Sequence, residues 1–393
     1  MGAYVSTQVL SRLIHENVNL LAGLYLHIPF CKKACHYCNF HFSTSLRQKD
    51  EMVQAILTEL DLQKDYLQNQ PLNSIYFGGG TPSLLTVEEL QLIFDKVKAL
   101  HQIDERAEIT LEANPDDLTI EKLTELAATP INRLSIGIQS FFEEDLKFMN
   151  RAHDAKEAKK CIENAQKVGF HNLTIDLIYG APTTAHEAWR ANIDTALNFD
   201  IPHISCYCLT VEPNTALDHF VKKGKAQPVD EEHAAQQFEI LMQTLKANGY
   251  EHYEISNFAK PNCHARHNSN YWLGAHYLGI GPSAHSFNGY SRQWNVAHNT
   301  RYIKALRQGD LAFDKEVLTQ EQQYNEYILT ALRTKWGCDL EKIEHWGPKI
   351  AQHFQKTSAP YLSKNLIQQK NDIFTLTDEG KLLADRIAME LFL

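Results

Sequence analysis

The chain has 393 residues, of which 44% are hydrophobic and 22% charged, and its formal net charge is −10 at pH 7. An acidic chain without a long run of Lys or Arg has no basic surface for phosphate groups, so we expect no nucleic-acid partner. No stretch approaches the roughly 18 apolar residues of a transmembrane helix, and the first residues lack the layout of a secretory signal. We expect a cytoplasmic protein without a transmembrane segment, and we leave peripheral contact with a membrane open.

Short β-rich runs alternate with helical stretches in the first half of the chain. The predicted strands span residues 24–28, 74–77, 107–111, 133–138, 172–178 and 203–210, and the predicted helices between them include 49–68, 87–99, 155–168 and 186–198. This alternation predicts parallel strands joined by right-handed crossovers. A closed barrel and an open doubly wound sheet both satisfy the pattern.

Polar or unusual residues are predicted to follow the carboxyl end of one strand after another. A cysteine-rich loop follows the first strand, the Gly-Gly-Gly-Thr run at 78–81 follows the second, and Glu112, Gln139 and Asp176 follow the next three. In a barrel these strand ends share one face, where a single ligand could contact them all. The sequence therefore favours an α/β fold, a partial TIM-like barrel of six β/α repeats.

The repeat stops near residue 215. A long amphipathic helix is predicted over 230–247, whereas 253–295 is dense in His, Asn, Tyr, Trp and Gly and has no regular assignment. Because single cores tend to split beyond about 250 to 300 residues, a second domain is expected. We predict an N-terminal extension at 1–22, the barrel core at 23–215, a flanking region at 216–315, and a small C-terminal helical or winged-helix-like domain at 316–393.

Three cysteines, Cys31, Cys35 and Cys38, lie within eight residues in the spacing C-x3-C-x2-C. Thiolates this close together can surround one metal centre, either an iron-sulfur cluster or zinc. A structural zinc site needs a fourth ligand, which His36 or His41 could supply, so the residues alone leave both open.

The segment Tyr-Leu-His-Ile-Pro-Phe-Cys at 25–31 runs into these cysteines and resembles the radical S-adenosylmethionine (SAM) superfamily. The resemblance implies a radical SAM barrel in which Cys31, Cys35 and Cys38 hold three irons of a [4Fe-4S] cluster. The fourth iron is then left for SAM. Matching the family pattern residue by residue gives the implied SAM contacts Tyr25, Tyr37, Gly79, Gly80, Thr81, Glu112, Gln139, Arg151 and Asp176.

Within this superfamily the chain is similar to oxygen-independent coproporphyrinogen oxidases and to HemW-type haem chaperones. The oxidase pattern continues with a fourth cysteine two residues after the third, but this chain has Phe40 at that position. This difference disfavours oxidase activity. We therefore favour a protein that is not an enzyme, and we leave enzyme activity open because the radical SAM motif is retained.

The hexapeptide His-Asn-Ser-Asn-Tyr-Trp at 267–272 matches the HNxxYW motif of the chaperones. An imidazole can bind haem iron axially, and aromatic rings can pack on a flat porphyrin. The predicted haem-binding residues are His267, Asn268, Tyr271 and Trp272, and the alternative iron ligands left open are His264, His276 and His285.

The resemblance implies a haem chaperone that transfers haem to acceptor proteins, which could be respiratory or membrane enzymes. Its implied cofactors are a [4Fe-4S] cluster and SAM, and a homodimer is left open. The alternative function is an oxygen-independent coproporphyrinogen III oxidase, which performs a radical SAM oxidative decarboxylation.

Overall fold

A computed structural model describes residues 21–393 of the chain. Six parallel strands form the centre of its large sheet in sequence order. They are β1 (Ala22–Ile28), β2 (Leu72–Gly79), β3 (Ile103–Ala113), β4 (Arg133–Gln139), β5 (Leu173–Tyr179) and β6 (His203–Cys208). The six strands predicted from sequence are confirmed, with ends that shift by a few residues. Almost all of the predicted N-terminal extension, 1–22, lies outside the described residues.

Helices connect successive strands on the outer side of the sheet. They are α1 (Lys49–Leu62), α2 (Val87–Leu100), α3 (Ile120–Ala127), α4 (Glu143–Phe148), α5 (Ala155–Val168) and α6 (His186–Asn198). Capping residues explain where several of them begin. The side chain of Asp154, for example, accepts hydrogen bonds from the backbone N–H groups of Lys156 and Glu157 at the start of α5. Such caps satisfy donors that have no partner within the helix.

The two faces of each central strand have different chemistry. In β1, Leu24, Leu26 and Ile28 are buried in the main hydrophobic core. The alternating residues Tyr25 and His27 line a cavity on the inner face instead. Because successive side chains of a strand point to opposite faces, the inner face of the sheet collects the polar residues. The candidate site is built on this face.

Short strands extend the sheet on both sides to twelve strands, and its ends do not meet. On one side are β8 (Asn257–Ala259) and the edge strand β7 (Glu251–Glu254), and on the other are β9 (Tyr277–Ile280), β10 (His285–Phe287), β11 (Ser291–Asn295) and the edge strand β12 (Phe313–Val317). The helices of this region are α7 (Ala216–Lys222), α8 (Glu231–Ala247), α9 (Arg266–Trp272) and α10 (Asn299–Arg307). The predicted α/β fold with a partial barrel is therefore confirmed, and the barrel is an open sheet and not a closed one. The segment 253–295, which had no assignment, forms most of the added strands.

The C-terminal part has its own hydrophobic cluster and a separate three-stranded antiparallel sheet. Its elements are α11 (Gln320–Leu332), β13 (Cys338–Asp339), α12 (Leu340–Glu344), α13 (Pro348–Ser363), β14 (Ile367–Lys370), β15 (Ile373–Leu376), α14 (Asp378–Lys381) and α15 (Ala384–Glu390). The order from α11 to β15 is helix, strand, helix, helix, strand, strand, which fits the predicted winged-helix-like arrangement. The four domain boundaries themselves remain predictions.

A buried carboxylate connects α1 to the part of the sheet beyond β1, where β9 and β11 lie, and to α10. Glu59 is 1% exposed and accepts hydrogen bonds from the Gly281 backbone N–H at 2.8 Å, from the Asn295 amide at 2.7 Å and from the Tyr302 hydroxyl at 2.5 Å. Burial raises the pKa of Glu59 to about 7, although these hydrogen bonds act in the opposite direction. The folded protein therefore holds a proton on Glu59 at pH values where the unfolded chain has lost it.

We predict that Glu59→Gln changes how stability depends on pH. Between about pH 4.5 and pH 7, Glu59 is ionised in the unfolded wild-type chain but still protonated in the folded protein. Raising the pH across this range therefore lowers the free energy of unfolding by up to about 3 kcal/mol. A neutral Gln has no such dependence. Urea unfolding at pH 5 and pH 8 should show the variant gaining stability relative to wild type as the pH rises. Glu51→Gln, on the same helix at a more exposed position, is the matched control. A wild-type-to-variant difference that is the same at both pH values would contradict the prediction.

Candidate functional site

Two cavities adjoin on the inner face of the sheet. The thiol cavity, about 1180 Å³, is lined by Cys31, Cys35 and Cys38 and by residues at the carboxyl ends of the parallel strands. The histidine cavity, about 840 Å³, is lined by His267 and its neighbours on α9. The residues that line both are Asn39, Phe40, Glu112, Tyr207, Ser256 and Arg333. These residues form the boundary between the two spaces.

The cysteine loop follows β1 and is held by backbone hydrogen bonds. The Cys31 N–H donates to the Ser43 carbonyl at 3.0 Å, and the Cys38 N–H donates to the Cys35 carbonyl at 3.4 Å. Burial raises the pKa of the Cys31 thiol to about 11 and also raises that of Cys38. Within residues 21–393, no three His, Cys, Asp or Glu side chains converge as they would around a single metal ion. Ligation of a cluster by the three thiols stays a prediction.

Arg151 lies beside the cysteine loop and has one unused donor. Its Nη1 is 3.2 Å from the Cys35 Sγ, and its Nη2 donates to the Asn114 side chain at 2.6 Å and to the Gly137 carbonyl at 2.8 Å. Its Nε is buried and has no hydrogen-bond partner in the described part of the chain. A guanidinium stabilises negative charge on neighbouring sulfur, and an unpaired donor suits a ligand that carries a carboxylate. These groups fit the cluster and SAM.

Glycines bring the end of β2 against the cysteine loop. Gly79 has a φ of +105°, and a Cβ placed there would lie 2.5 Å from the His27 ring. A Cβ on Gly80 would lie 2.6 Å from the Phe30 carbonyl oxygen. The next residue, Thr81, donates its hydroxyl to the Cys31 Sγ at 3.4 Å. Chain packing alone therefore requires glycine at these two positions, which also line the thiol cavity.

Three of the predicted SAM contacts require a correction of their position. They were expected just past the strand ends, but Glu112 lies within β3, Asp176 lies in the middle of β5, and Gln139 is the last residue of β4. All three line the thiol cavity because inward-facing positions within a strand also reach that space. Burial raises the pKa of Glu112, and burial together with the Glu112 charge raises that of Asp176 to about 7.

The structure brings most of the predicted SAM contacts together. Those that line the thiol cavity are Tyr37, Gly79, Gly80, Thr81, Glu112, Gln139, Arg151 and Asp176. Tyr25 is the exception, since it lines the histidine cavity, where its hydroxyl is 3.1 Å from the His27 Nδ1. The match to the family pattern implied Tyr25 as a SAM contact, and this role stays a prediction.

Helix α9, which carries the HNxxYW motif, is fixed against the sheet by polar contacts. The Glu108 carboxylate accepts the backbone N–H groups of Arg266 at 3.0 Å and His267 at 3.1 Å, at the start of the helix. One turn later, the buried Asn270 amide donates to the Asn73 side chain at 2.6 Å. A carboxylate at a helix N-terminus satisfies free N–H groups and opposes the helix dipole.

The His267 imidazole is held in one orientation. Its Nδ1 is 3.0 Å from the Ser74 hydroxyl, and its ring stacks on Tyr76 with a centroid distance of 4.9 Å and an interplanar angle of 25°. Burial lowers its pKa to about 4, so the ring is neutral at pH 7. Its Nε2 has no hydrogen-bond partner among the residues described. A neutral imidazole with one nitrogen fixed and the other free meets the usual requirements for a metal ligand.

The other motif residues, Asn268, Tyr271 and Trp272, line the same cavity as His267. Tyr271 and Trp272 pack edge to face at 5.0 Å. Of the alternative iron ligands, His276 and His285 line this cavity, but His264 does not. His264 hydrogen-bonds Glu251 at 3.0 Å. Among the alternatives, only His276 and His285 therefore lie at the histidine cavity.

Sequence reasoning missed two further residues of the site. Tyr76 carries the stacked His267 ring and donates its hydroxyl to the Glu112 carboxylate at 2.7 Å. Arg333, at the end of α11, places its guanidinium 5.4 Å from the centre of the Trp272 ring. The alternation of β2 could have indicated that Tyr76 faces inward, whereas no local pattern indicates Arg333.

Comparisons with known proteins agree with this architecture. The model of the Radical SAM superfamily matches residues 25–196, and that of the HemN C-terminal domain matches 318–383. The solved structure of coproporphyrinogen III oxidase (HemN) from Escherichia coli superposes with a TM-score of 0.83, covering 98% of this chain and 93% of the other. At 23% identity this match shows the fold alone. Each helix within residues 21–393 is too short or too polar to span a bilayer.

Curated relatives match over nearly the whole chain. A protein of Escherichia coli K12 named "Heme chaperone HemW" is 39% identical over 378 residues, which is 94% of this chain and 98% of the relative. A protein of the same name from Bacillus subtilis 168 is 34% identical over 372 residues, 93% of this chain and 98% of the relative. On the strength of these matches, the chain belongs to the HemW family of the radical SAM superfamily.

Proposed function

We propose that this protein binds haem in the histidine cavity, with His267 Nε2 as an axial iron ligand, and passes it to acceptor proteins. The observation that carries the proposal is the neutral, oriented His267 ring with a free Nε2, beside a space of about 840 Å³. That volume lies within the usual range of about 300 to 1,000 Å³ for ligand sites. The name of the curated relatives, "Heme chaperone HemW", supports the same function.

The residues around His267 have separate roles in this proposal. Ser74 fixes the imidazole through Nδ1, so that Nε2 remains available to iron. The lowered pKa of His267 means that protons do not compete with iron at neutral pH. The aromatic rings of Tyr271 and Trp272 provide apolar surface for a flat macrocycle. Tyr271 is 42% exposed, so part of the bound haem would remain accessible to an acceptor.

We further propose that the thiol cavity holds a [4Fe-4S] cluster on Cys31, Cys35 and Cys38, with SAM beside it. When bound, this pair supplies one-electron chemistry. Arg151 would pair with the SAM carboxylate through its unused Nε, and Glu112 and Asp176 would accept hydrogen bonds from its ammonium and hydroxyl groups. Transfer of haem to respiratory or membrane enzymes, formation of a homodimer and contact with a membrane are also proposals.

We predict that purified protein binds about one haem per chain and that His267→Ala weakens binding by more than about tenfold, because the iron loses its ligand. A spectroscopic haem titration measures both values. His171→Ala is the control, since His171 is an exposed histidine that lines neither cavity.

Unchanged haem affinity in His267→Ala would remove His267 as the ligand. Titrations of His276→Ala and His285→Ala would then identify the alternative. The competing function makes a different prediction. If the protein converts coproporphyrinogen over many turnovers, without oxygen and with SAM and a reductant, it is an oxidase and the chaperone proposal is wrong.

We predict that Cys31→Ser, Cys35→Ser and Cys38→Ser each lower bound iron and acid-labile sulfide by most of their wild-type amount, because a hydroxyl is a poor ligand for iron-sulfur clusters. Anaerobic reconstitution followed by elemental analysis measures both. Cys263→Ser, at a partly exposed cysteine outside the thiol cavity, is the control. Wild-type protein that contains zinc and no sulfide would contradict the cluster.

A further inference from the structure

Two arginines line the histidine cavity, Arg292 of β11 and Arg333 at the C-terminal end of α11. Among the residues lining this space they are the only Lys or Arg side chains. The lining acidic residues are Glu112 and Glu254. A ligand with carboxylate groups would therefore be repelled at the acidic residues and attracted at the two guanidinium groups.

Arg333 is fixed in the wall of the histidine cavity, and not all of its N–H groups are used. Its Nε donates at 3.2 Å to Glu254, a carboxylate that is 1% exposed. Its Nη1 pairs with Asp385, whose side chain is 72% exposed. Backbone contact also fixes the position, because the Arg333 carbonyl accepts the Ile255 N–H at 3.1 Å. Since a guanidinium has five N–H donors and the exposed pair with Asp385 is weak, Arg333 can donate hydrogen bonds to a further carboxylate.

Arg292 has an unmet donor. Its guanidinium pairs with Glu326 of α11 and lies 5.9 Å from the centre of the Phe287 ring. Its Nε is buried and has no hydrogen-bond partner within the described residues. Because Arg292 also lines the histidine cavity, its positive charge attracts a carboxylate of a ligand bound there.

We propose that Arg333 and Arg292 bind the two propionate carboxylates of the porphyrin. Haem carries two such groups, and guanidinium groups bind carboxylates through short, charge-assisted hydrogen bonds. The Arg333 guanidinium also lies over Trp272 of the HNxxYW motif, which brings it next to the proposed haem surface. This inference rests on the proposed function. It gives the C-terminal part a role there, since Arg333 belongs to the segment matched by the HemN C-terminal domain.

The experiment compares haem with its dimethyl ester, iron protoporphyrin in which both carboxylates are esterified and uncharged. Wild-type protein should bind the ester at least about tenfold more weakly than haem. Arg333→Gln and Arg292→Gln should each weaken haem binding by about tenfold and leave binding of the ester unchanged. Arg307→Gln is the matched control, because Arg307 is exposed, pairs with Glu51 and lines neither cavity.

A second variant guards against misfolding. Arg333→Gln leaves the buried Glu254 without its cation. An unpaired buried charge destabilises the folded state, so this variant could lose haem affinity through misfolding alone. The double variant Arg333→Gln, Glu254→Gln removes both charges and should keep a thermal unfolding midpoint near that of wild type, while showing the same loss of haem affinity. Arg333→Lys should recover part of the affinity, because it restores the charge without the planar fork.

Each outcome decides one of the two proposals. If wild-type protein binds no haem, the proposed function fails, and this inference fails with it. If wild-type protein binds haem and the ester equally well, haem binding stands but recognition of the carboxylates is wrong. If folded Arg333→Gln and Arg292→Gln variants bind haem as tightly as Arg307→Gln, the two arginines are not the carboxylate-binding groups.

Discussion

The Glu108 carboxylate determines where the HNxxYW motif lies. It is 8% exposed and accepts the first two N–H groups of α9, while Arg133 lies 3.6 Å away as its counter-charge. Without this acceptor, the start of a short helix would present unsatisfied donors to the inner face of the sheet. With it, α9 packs against β1 and β2, and His267 contacts Ser74 and Tyr76. The candidate haem site therefore depends on a buried charge in a neighbouring strand.

Direct contacts connect the two cavities. The His267 ring stacks on Tyr76, the Tyr76 hydroxyl donates to Glu112, and Glu112 accepts the Gly79 N–H at 3.2 Å. Glu112 belongs to the lining of both spaces. In this chain the thiol cavity and the histidine cavity therefore adjoin through one shared side chain and its direct contacts. A ligand that competes for the Glu112 carboxylate also acts on the residue that supports His267.

The sequence was sufficient for the central sheet and insufficient for its edges. The six parallel strands are long and apolar on one face, so their periodicity was visible, and the cysteine spacing located the loop after β1. Strands β7 to β11 have only three to five residues each, which is too short to show a clear periodicity, and several of them pair with strands distant in the chain. Arg333 shows the same limit, because its acidic partner Glu254 is 79 residues away. Asp176 was expected just past a strand end, although the predicted strand 172–178 already contained it, and the structure places it in the middle of β5.

Because the sheet is open, both of its edge strands could pair with another chain, and they are protected differently. The edge strand β7 is bridged by the C-terminal part through Glu254 and Thr334, and Lys335 donates its N–H to the Tyr253 carbonyl. The opposite edge, β12, exposes alternating charges on Asp314, Lys315 and Glu316. Charged residues on an edge strand oppose its pairing with a strand of another molecule. Strand addition by another molecule is thus disfavoured at both edges of the sheet that residues 21–393 form.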